Sequence, residues 1–495
     1  MWWRVSRPLS PDYSPQPPMK RFLLDNDGSN IFHNSPWEGA ALEELVDETV
    51  RECADEVSTV LICSNAGNCN FPTRVGLLDP RASMLHEARE EGKDLFGMLL
   101  RAFKESGRET FVTMRMNDVH NPDDSDGWNT PPVRRDNPDL VVGMDEIKAG
   151  TAQWMSYCLD YSRPEVQEYN LALIGEMAEL YGDTIDGLQL DWMRFPRHLS
   201  GQGDEVWEKR EHLTTFTAEA RKILKSASTN ILLAARVPPT TEGCRMLGME
   251  LPEWTAQGLV DFLVLCPFLT TNWTIPVEEF RDWIGRNDVP LYAGFDFGYG
   301  KCTHHPESLR AVCTSLYGCG ADGIYVFNFP CWTEYIAARP YHWLAGLECP
   351  ESAATKPLQF SVNHARHRQP CDGVAQLPVT LSPDGSVSLN LMLPQSTLPA
   401  WRCLLLTNSH GDVKVAVNGE PASSLRFGAG EEGHRSEIFL EFADQYFQKD
   451  ARPKPNDCRI FKPNASMLQA GENVIQIANT GRQSITVESV KLGLW

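Results

Sequence analysis

The sequence predicts an α/β protein: a (β/α)8 TIM barrel over residues 20–350, followed by an all-β jelly-roll sandwich over residues 351–495, with residues 1–19 as an N-terminal arm. Three observations carry this. Eight short apolar runs alternate with helix-patterned segments between residues 20 and 345, which is the pattern of a parallel sheet. Each of the eight runs ends in polar or aromatic residues, as barrel strands do where they open onto a site. After Glu348-Cys349-Pro350 the helical spacing stops and only short strands separated by turn residues follow.

The runs follow in order. Residues 1–19 are rich in Pro and Ser and carry little pattern. Arg21-Phe22-Leu23-Leu24 opens strand one and runs into Asp25-Asn26-Asp27-Gly28. Leu42, Leu45, Val46 and Val50 give residues 38–56 helical spacing. Val57–Cys63 is β-branched and forms strand two, Leu95–Phe103 is helical, and Thr110–Met114 is strand three, ending in Arg115-Met116-Asn117-Asp118-Val119-His120. A polar stretch of about 121–150 follows and is long enough to cover a site. Pro164–Leu180 is an amphipathic helix started by Ser162-Arg163-Pro164-Glu165.

Strand four is the centre of the chain: Asp186-Gly187-Leu188-Gln189-Leu190-Asp191-Trp192-Met193-Arg194-Phe195-Pro196, with a period of two running into a carboxylate, an indole and a guanidinium. A helix over Thr214–Lys225 leads to strand five, Ile231–Ala235, which ends at Arg236. Strand six is Asp261–Leu265, strand seven Leu291–Phe295 ending at Asp296, and strand eight Gly323–Phe327 ending at Asn328 and, further on, Trp332. The C-terminal strands are Val379–Leu381, Val387–Leu391, Arg402–Leu406, Val413–Val417, Ile438–Phe442, Val474–Ile477 and Val487–Leu492, with turn signals such as Pro383-Asp384-Gly385 and Asn418-Gly419 between them.

Composition narrows the partners. The chain has 495 residues, 66 acidic against 45 basic, and a net charge of −21. That balance argues against nucleic acid and anionic membranes. No window approaches the roughly 18 apolar residues of a membrane span. The 14 Cys include no C-x-x-C pair, so they read as reduced thiols of a cytoplasmic protein with no signal peptide. The 14 Trp are costly to expose and are suited to stacking on sugar faces, although most of them belong to the core.

A barrel collects its strand ends on one rim. Two carboxylates there, with Arg, Asn and Trp around them, suit glycosidic cleavage, in which one carboxyl must donate a proton and the other must be ionised. Asp191, Asp296 and Asp118 are the candidate catalytic acids, in that order. Asp27, Arg115, Asn117, His120, Trp192, Arg194, Arg236, Asn328 and Trp332 are the candidate substrate contacts. The clustered Arg in an acidic protein point to an anionic sugar. Each residue also has a bland reading: Asp191 as an ion-pair partner of Arg194 or Arg236, Asp27 and Asp118 as helix caps, and Arg115 and Arg236 as buried partners of the rim acids. No cofactor and no metal is called for. The rival readings are a metal-assisted lyase or isomerase using Asp25, Asp27, Asp118 and His120, and a sugar-binding protein without catalysis.

Residues 20–345 resemble the glycosidase-like barrels of the family-ten-like hypothetical glycosyl hydrolases. The resemblance rests on Arg115–His120, Leu159–Val166, the strand-four stretch, Ala235-Arg236-Val237-Pro238, and Trp254 with Gly258-Leu259-Val260-Asp261. It implies a barrel acting on a carbohydrate. Strand four also resembles the chitinase-type D-G-x-D-x-D-x-E, but Gln189 replaces an Asp and Met193 replaces the acid of that motif, which speaks against a chitinase mechanism. Val413–Glu420 and Leu468–Leu494 are similar to galactose-binding-like sandwiches appended to glycosidases.

Overall fold

The computed structural model describes residues 20–33, 39–120, 130–143, 154–296, 305–329, 340–364, 369–398, 403–409, 411–425 and 458–495. The expected arm, the strand Ile438–Phe442 and Trp332 lie outside the described residues. Eight parallel strands close into a barrel: β1 (Phe22–Asn26), β2 (Thr59–Cys63), β3 (Glu109–Arg115), β4 (Gly187–Asp191), β5 (Leu232–Val237), β6 (Phe262–Leu265), β7 (Leu291–Asp296) and β8 (Gly323–Phe327). Neighbours in sequence are neighbours in the sheet, and β1 pairs with β8 to close the ring.

Pleating sorts each strand's side chains into two sets. One set fills the barrel interior: Leu23, Leu61, Phe111, Ala234, Phe262, Val264, Tyr292, Tyr325 and Phe327. The other set, including Leu24, Ile62, Val112, Leu188, Leu190 and Leu233, packs outward against the helices. The helices start where local chemistry lets them. Asp94 caps Leu95–Glu105 by accepting the Gly97 N–H at 3.0 Å. Pro164, with no N–H to satisfy, opens Pro164–Tyr181.

A partly buried ion pair ties the base of the barrel. Arg21 donates to both Glu109 oxygens, at 2.6 and 2.9 Å, and to the Tyr292 hydroxyl at 2.9 Å, so β7 and β3 are linked to the entry of β1. The fork geometry of a guanidinium permits this, and its face also lies over Phe262.

Downstream, antiparallel strands form two sheets. One runs β9 (Leu358–Ser361), β18 (Ile485–Leu494), β12 (Cys403–Ser409), β16 (Cys458–Lys462), β15 (Ser423–Leu425), with β10 (Val379–Leu381) also on β18. The other runs β11 (Ser386–Leu393), β17 (Gly471–Asn479), β13 (Val413–Val417), β14 (Glu420–Pro421). Along β11 burial alternates from Leu389 to Leu393, so one face covers a core and the other meets solvent.

Gly187 opens β4 because of what faces it. A Cβ there would stand 2.1 Å from the Phe111 ring, which fills the barrel floor. Gly187→Ala is therefore expected to destabilise the fold by about 1–3 kcal/mol through overpacking. A lowered urea midpoint with an unchanged m-value checks this; an unchanged midpoint contradicts it.

Candidate functional site

The inward set of β4 is Gln189 and Asp191, and two layers of polar groups are built around them. The lower layer is a neutral amide on a buried carboxyl. Gln189 Nε2 lies 3.1 Å from Asp25 Oδ2, 3.0 Å from Thr113 Oγ1 and 3.1 Å from the Tyr325 hydroxyl, which itself donates to Asp25 Oδ2 at 2.7 Å. Burial, followed by the charge of Asp191, pushes the Asp25 carboxyl up to about 7, against the Tyr325 hydrogen bond and the charges of Arg236 and Arg115. A carboxylate at position 189 would add a second charge to a site already strained to hold one. The amide instead offers donors.

The upper layer holds Asp191. Its Oδ1 accepts the Met193 N–H at 2.9 Å and its Oδ2 accepts Arg236 Nη1 at 3.1 Å. Arg236 is fully buried and donates through Nη2 to the Pro267 carbonyl at 2.8 Å. Its guanidinium carbon lies 3.8 Å from the centroid of Phe327. Stacking on an aromatic face while two separate N–H groups reach a carboxylate and a carbonyl is a geometry in which Lys cannot replace Arg.

Asp296 ends β7 and is 1% exposed. Burial pushes its carboxyl up to about 8, although Arg236 and Arg194 pull the other way. Asp118 goes in the opposite direction. Burial again opposes its charge, but His120, Arg115 and Arg194 outweigh burial and hold it well below the usual carboxylate range. Arg115 Nη1 donates to Asp118 Oδ2 at 2.8 Å and Nη2 lies 3.4 Å from Asp27. His120 bridges Asp118 and Arg194. A guanidinium has only donors, and Arg194 Nη2 stands 3.0 Å from His120 Nε2, so in the neutral ring Nε2 accepts and Nδ1–H donates to Asp118. Burial, the largest influence, also depresses the His120 pKa.

The predicted residues thus separate. Asp191, Asp296, Asp118, Asp27, Arg115, Arg194, Arg236, His120 and Asn328 gather at the C-terminal ends of the strands. Trp192 does not face them. It is fully buried on the outer side of β4, with its ring centroid 5.2 Å from that of Tyr161, 4.9 Å from His198 and 5.8 Å from Phe216, so it is core and not a sugar platform. Pleating explains this: Trp192 follows the inward Asp191. Asn117 is also committed elsewhere. Its Oδ1 accepts the Leu159 N–H and its Nδ2 donates to the Leu159 and Arg197 carbonyls, which fastens two loops together. The pairing of Arg115 and Arg236 with protein carboxylates removes the reason for expecting an anionic sugar. Asp25 joins the site as well, beneath Asp191. Its spacing of two from the inward Leu23 was the available signal.

Several buried side chains among the described residues have donor atoms with no hydrogen-bond partner, Arg115 Nε, Arg236 Nε and Trp192 Nε1 among them. Among the described residues, Arg194 Nε and Nη1 and both amide atoms of Asn328 have no hydrogen-bond partner, although the residues are 3% and 0% exposed. Asn328 is also held at φ 57°, Phe195 at 52° and Leu269 at 45°, each in the loop just beyond β8, β4 and β6. Left-handed backbone is costly for such residues and tends to cluster where a site imposes it. Among the described residues, no group of three or more His, Cys, Asp or Glu side chains is arranged to hold a metal, and no helix is long and apolar enough to cross a membrane.

No protein-family model and no curated protein sequence matches this chain. Solved structures do. The PgaB (BpsB) glycoside hydrolase domain from Bordetella bronchiseptica is 16% identical, over 67% of this chain and 99% of that one, with a TM-score of 0.44. Endo-glycoceramidase II from Rhodococcus sp. is 12% identical over 93% of this chain and 98% of that one, with a TM-score of 0.40. A cycloisomaltooligosaccharide glucanotransferase from Paenibacillus sp. is 12% identical over 97% and 58%, with a TM-score of 0.36. At these identities and scores the likeness assigns no activity to this chain.

The raised carboxyls make stability depend on pH. Unfolded, Asp25 and Asp296 ionise near 4. Folded, they keep their protons to about 7 and about 8. Between those limits the native state binds more protons, so stability falls as pH rises, by at most about 1.4 kcal/mol per pH unit for each group. Asp296→Asn is expected to remove its share of that slope and to raise Tm more at pH 8 than at pH 5. Melts at the two pH values check this, and equal shifts would refute it.

Proposed function

We propose that the chain is a glycoside hydrolase acting on a carbohydrate at the C-terminal rim of the barrel, with Asp296 as proton donor and Asp191 as the ionised carboxylate. The observation that carries the reading is the contrast between two inward-facing acids of one rim. Both are buried, but Asp191 is ion-paired with Arg236 and hydrogen-bonded at both oxygens, whereas burial pushes the Asp296 carboxyl up to about 8 against the charges of Arg236 and Arg194. Environments that separate two acids in this way assign acid and base roles.

In this reading Asp296 gives its proton to the leaving glycosidic oxygen as the C–O bond breaks. Asp191 supplies negative charge to the oxocarbenium-like centre, either by attack or by activating water. Arg194 through Nη1 and Asn328 through its amide, atoms with no hydrogen-bond partner among the described residues, hold sugar hydroxyls. Asp118, paired with Arg115, and His120 fix Arg194 by an ion pair and a hydrogen bond.

A panel of aryl glycosides and neutral oligosaccharides tests the reading. Asp191→Asn and Asp296→Asn are each expected to lower kcat about 10²- to 10⁴-fold, the usual range for acid–base groups. Wild-type kcat should decline above about pH 8 as Asp296 loses its proton. Sugar binding that persists without turnover, or full turnover in both variants, would overturn the proposal.

A further inference from the structure

The rim is not built by the barrel alone. A short turn from the C-terminal region, Pro370–Asp372, is wedged between the loops that follow β5 and β6. Asp372 is fully buried and ties its own turn to the loop after β6. Its Oδ2 accepts the Gln369 N–H at 2.8 Å, closing its own turn, and its Oδ1 accepts the Phe268 N–H at 3.0 Å, across to the barrel loop. Asn272 of the same loop donates to the Asp372 carbonyl at 3.3 Å, and Asn363 donates to Asn272 at 3.0 Å. On the β5 side, Thr240 donates to the Cys371 carbonyl at 3.2 Å. That carbonyl comes so close to Gly243 that a Cβ there would stand 2.1 Å from it.

What the wedge holds is the support of the candidate site. The residue before Phe268 is Pro267, whose carbonyl takes the second arm of Arg236. Phe268 itself lies under Arg194, 5.8 Å from guanidinium carbon to ring centroid, and packs with Phe195, Met193 and Cys371 in one buried cluster. A carboxylate accepting two backbone N–H groups is a charge-assisted and directional tie. It is suited to fixing a loop whose next residue, Leu269, is left-handed at φ 45°.

We propose that the 369–373 turn is a positioning element of the site, with Asp372 acting through the Phe268 amide and the Pro267 carbonyl to fix Arg236 against Asp191. The inference rests on the glycosidase reading only for its kinetic consequence. The C-terminal unit is then part of the site's frame and not a detachable module.

Asp372→Asn keeps the shape and removes one acceptor, and it is tested in the full chain in two ways. Hydrogen exchange is expected to quicken in residues 264–272 and also in 191–196, which Asp372 does not touch. Where the wild type turns over an aryl glycoside, kcat should fall about 10- to 100-fold with KM little changed, the scale of a misplaced reacting group. In an Arg236→Lys background the same substitution should cost less than about twofold, because two changes on one path do not add. Should Asp372→Asn fail to fold, Asn272→Ala, which cuts the neighbouring tie, is read in the same way. Exchange that quickens only within 363–373, or a kinetic loss that adds fully to that of Arg236→Lys, would overturn the proposal. If the wild type turns over no glycoside, the glycosidase reading falls, and the exchange measurement still decides the positioning claim.

Discussion

Arg236 is the group on which the upper barrel depends. It is buried beyond the reach of solvent, and the desolvation of a guanidinium is compensated only by good geometry. Three strands supply that geometry. β4 brings Asp191, the loop after β6 brings the Pro267 carbonyl, and β8 brings the Phe327 ring. Removing any one of them leaves a buried cation with too few partners, which is far more costly than a lost surface ion pair. The register of the barrel and the chemistry of the rim are therefore one constraint.

The surrounding charges follow from it. Three arginines, Arg115, Arg194 and Arg236, stand among Asp27, Asp118 and Asp191, with Arg115 and Arg236 directly paired. The two further acids, Asp25 and Asp296, relieve their burial by retaining protons. Below them Gln189 and Tyr325 solvate Asp25 with neutral donors. The departure of Gln189 from the chitinase-type strand thus has a local cause: an amide is the group that fits against a carboxyl that is already buried.

Much of this was legible in the chain. The eight strands were found to within about two residues, since an alternation of two is a local property. The same alternation, carried on from Gln189, turns Asp191 inward. The rule, applied one residue further, also turns Trp192 outward into the core beside Tyr161 and Phe216. Asn117 was misread because an amide looks the same in sequence whether it binds a sugar or two loop carbonyls. Asp25, which the sequence offers only to the metal-assisted reading, lies within β1, which continues to Asn26.

By itself the sequence determined the alternation of strands and helices, the change to strands alone after residue 350, and the polar strand ends that a barrel must gather on one rim. The tertiary structure alone decided which acid pairs with which arginine, which acid keeps its proton, and that a turn near residue 370 braces the loop after β6. The physical reason is range. Pleat and helix periodicity act over a few residues, whereas the burial and charge that set a carboxyl's state come from strands and loops about 45 to 300 residues away.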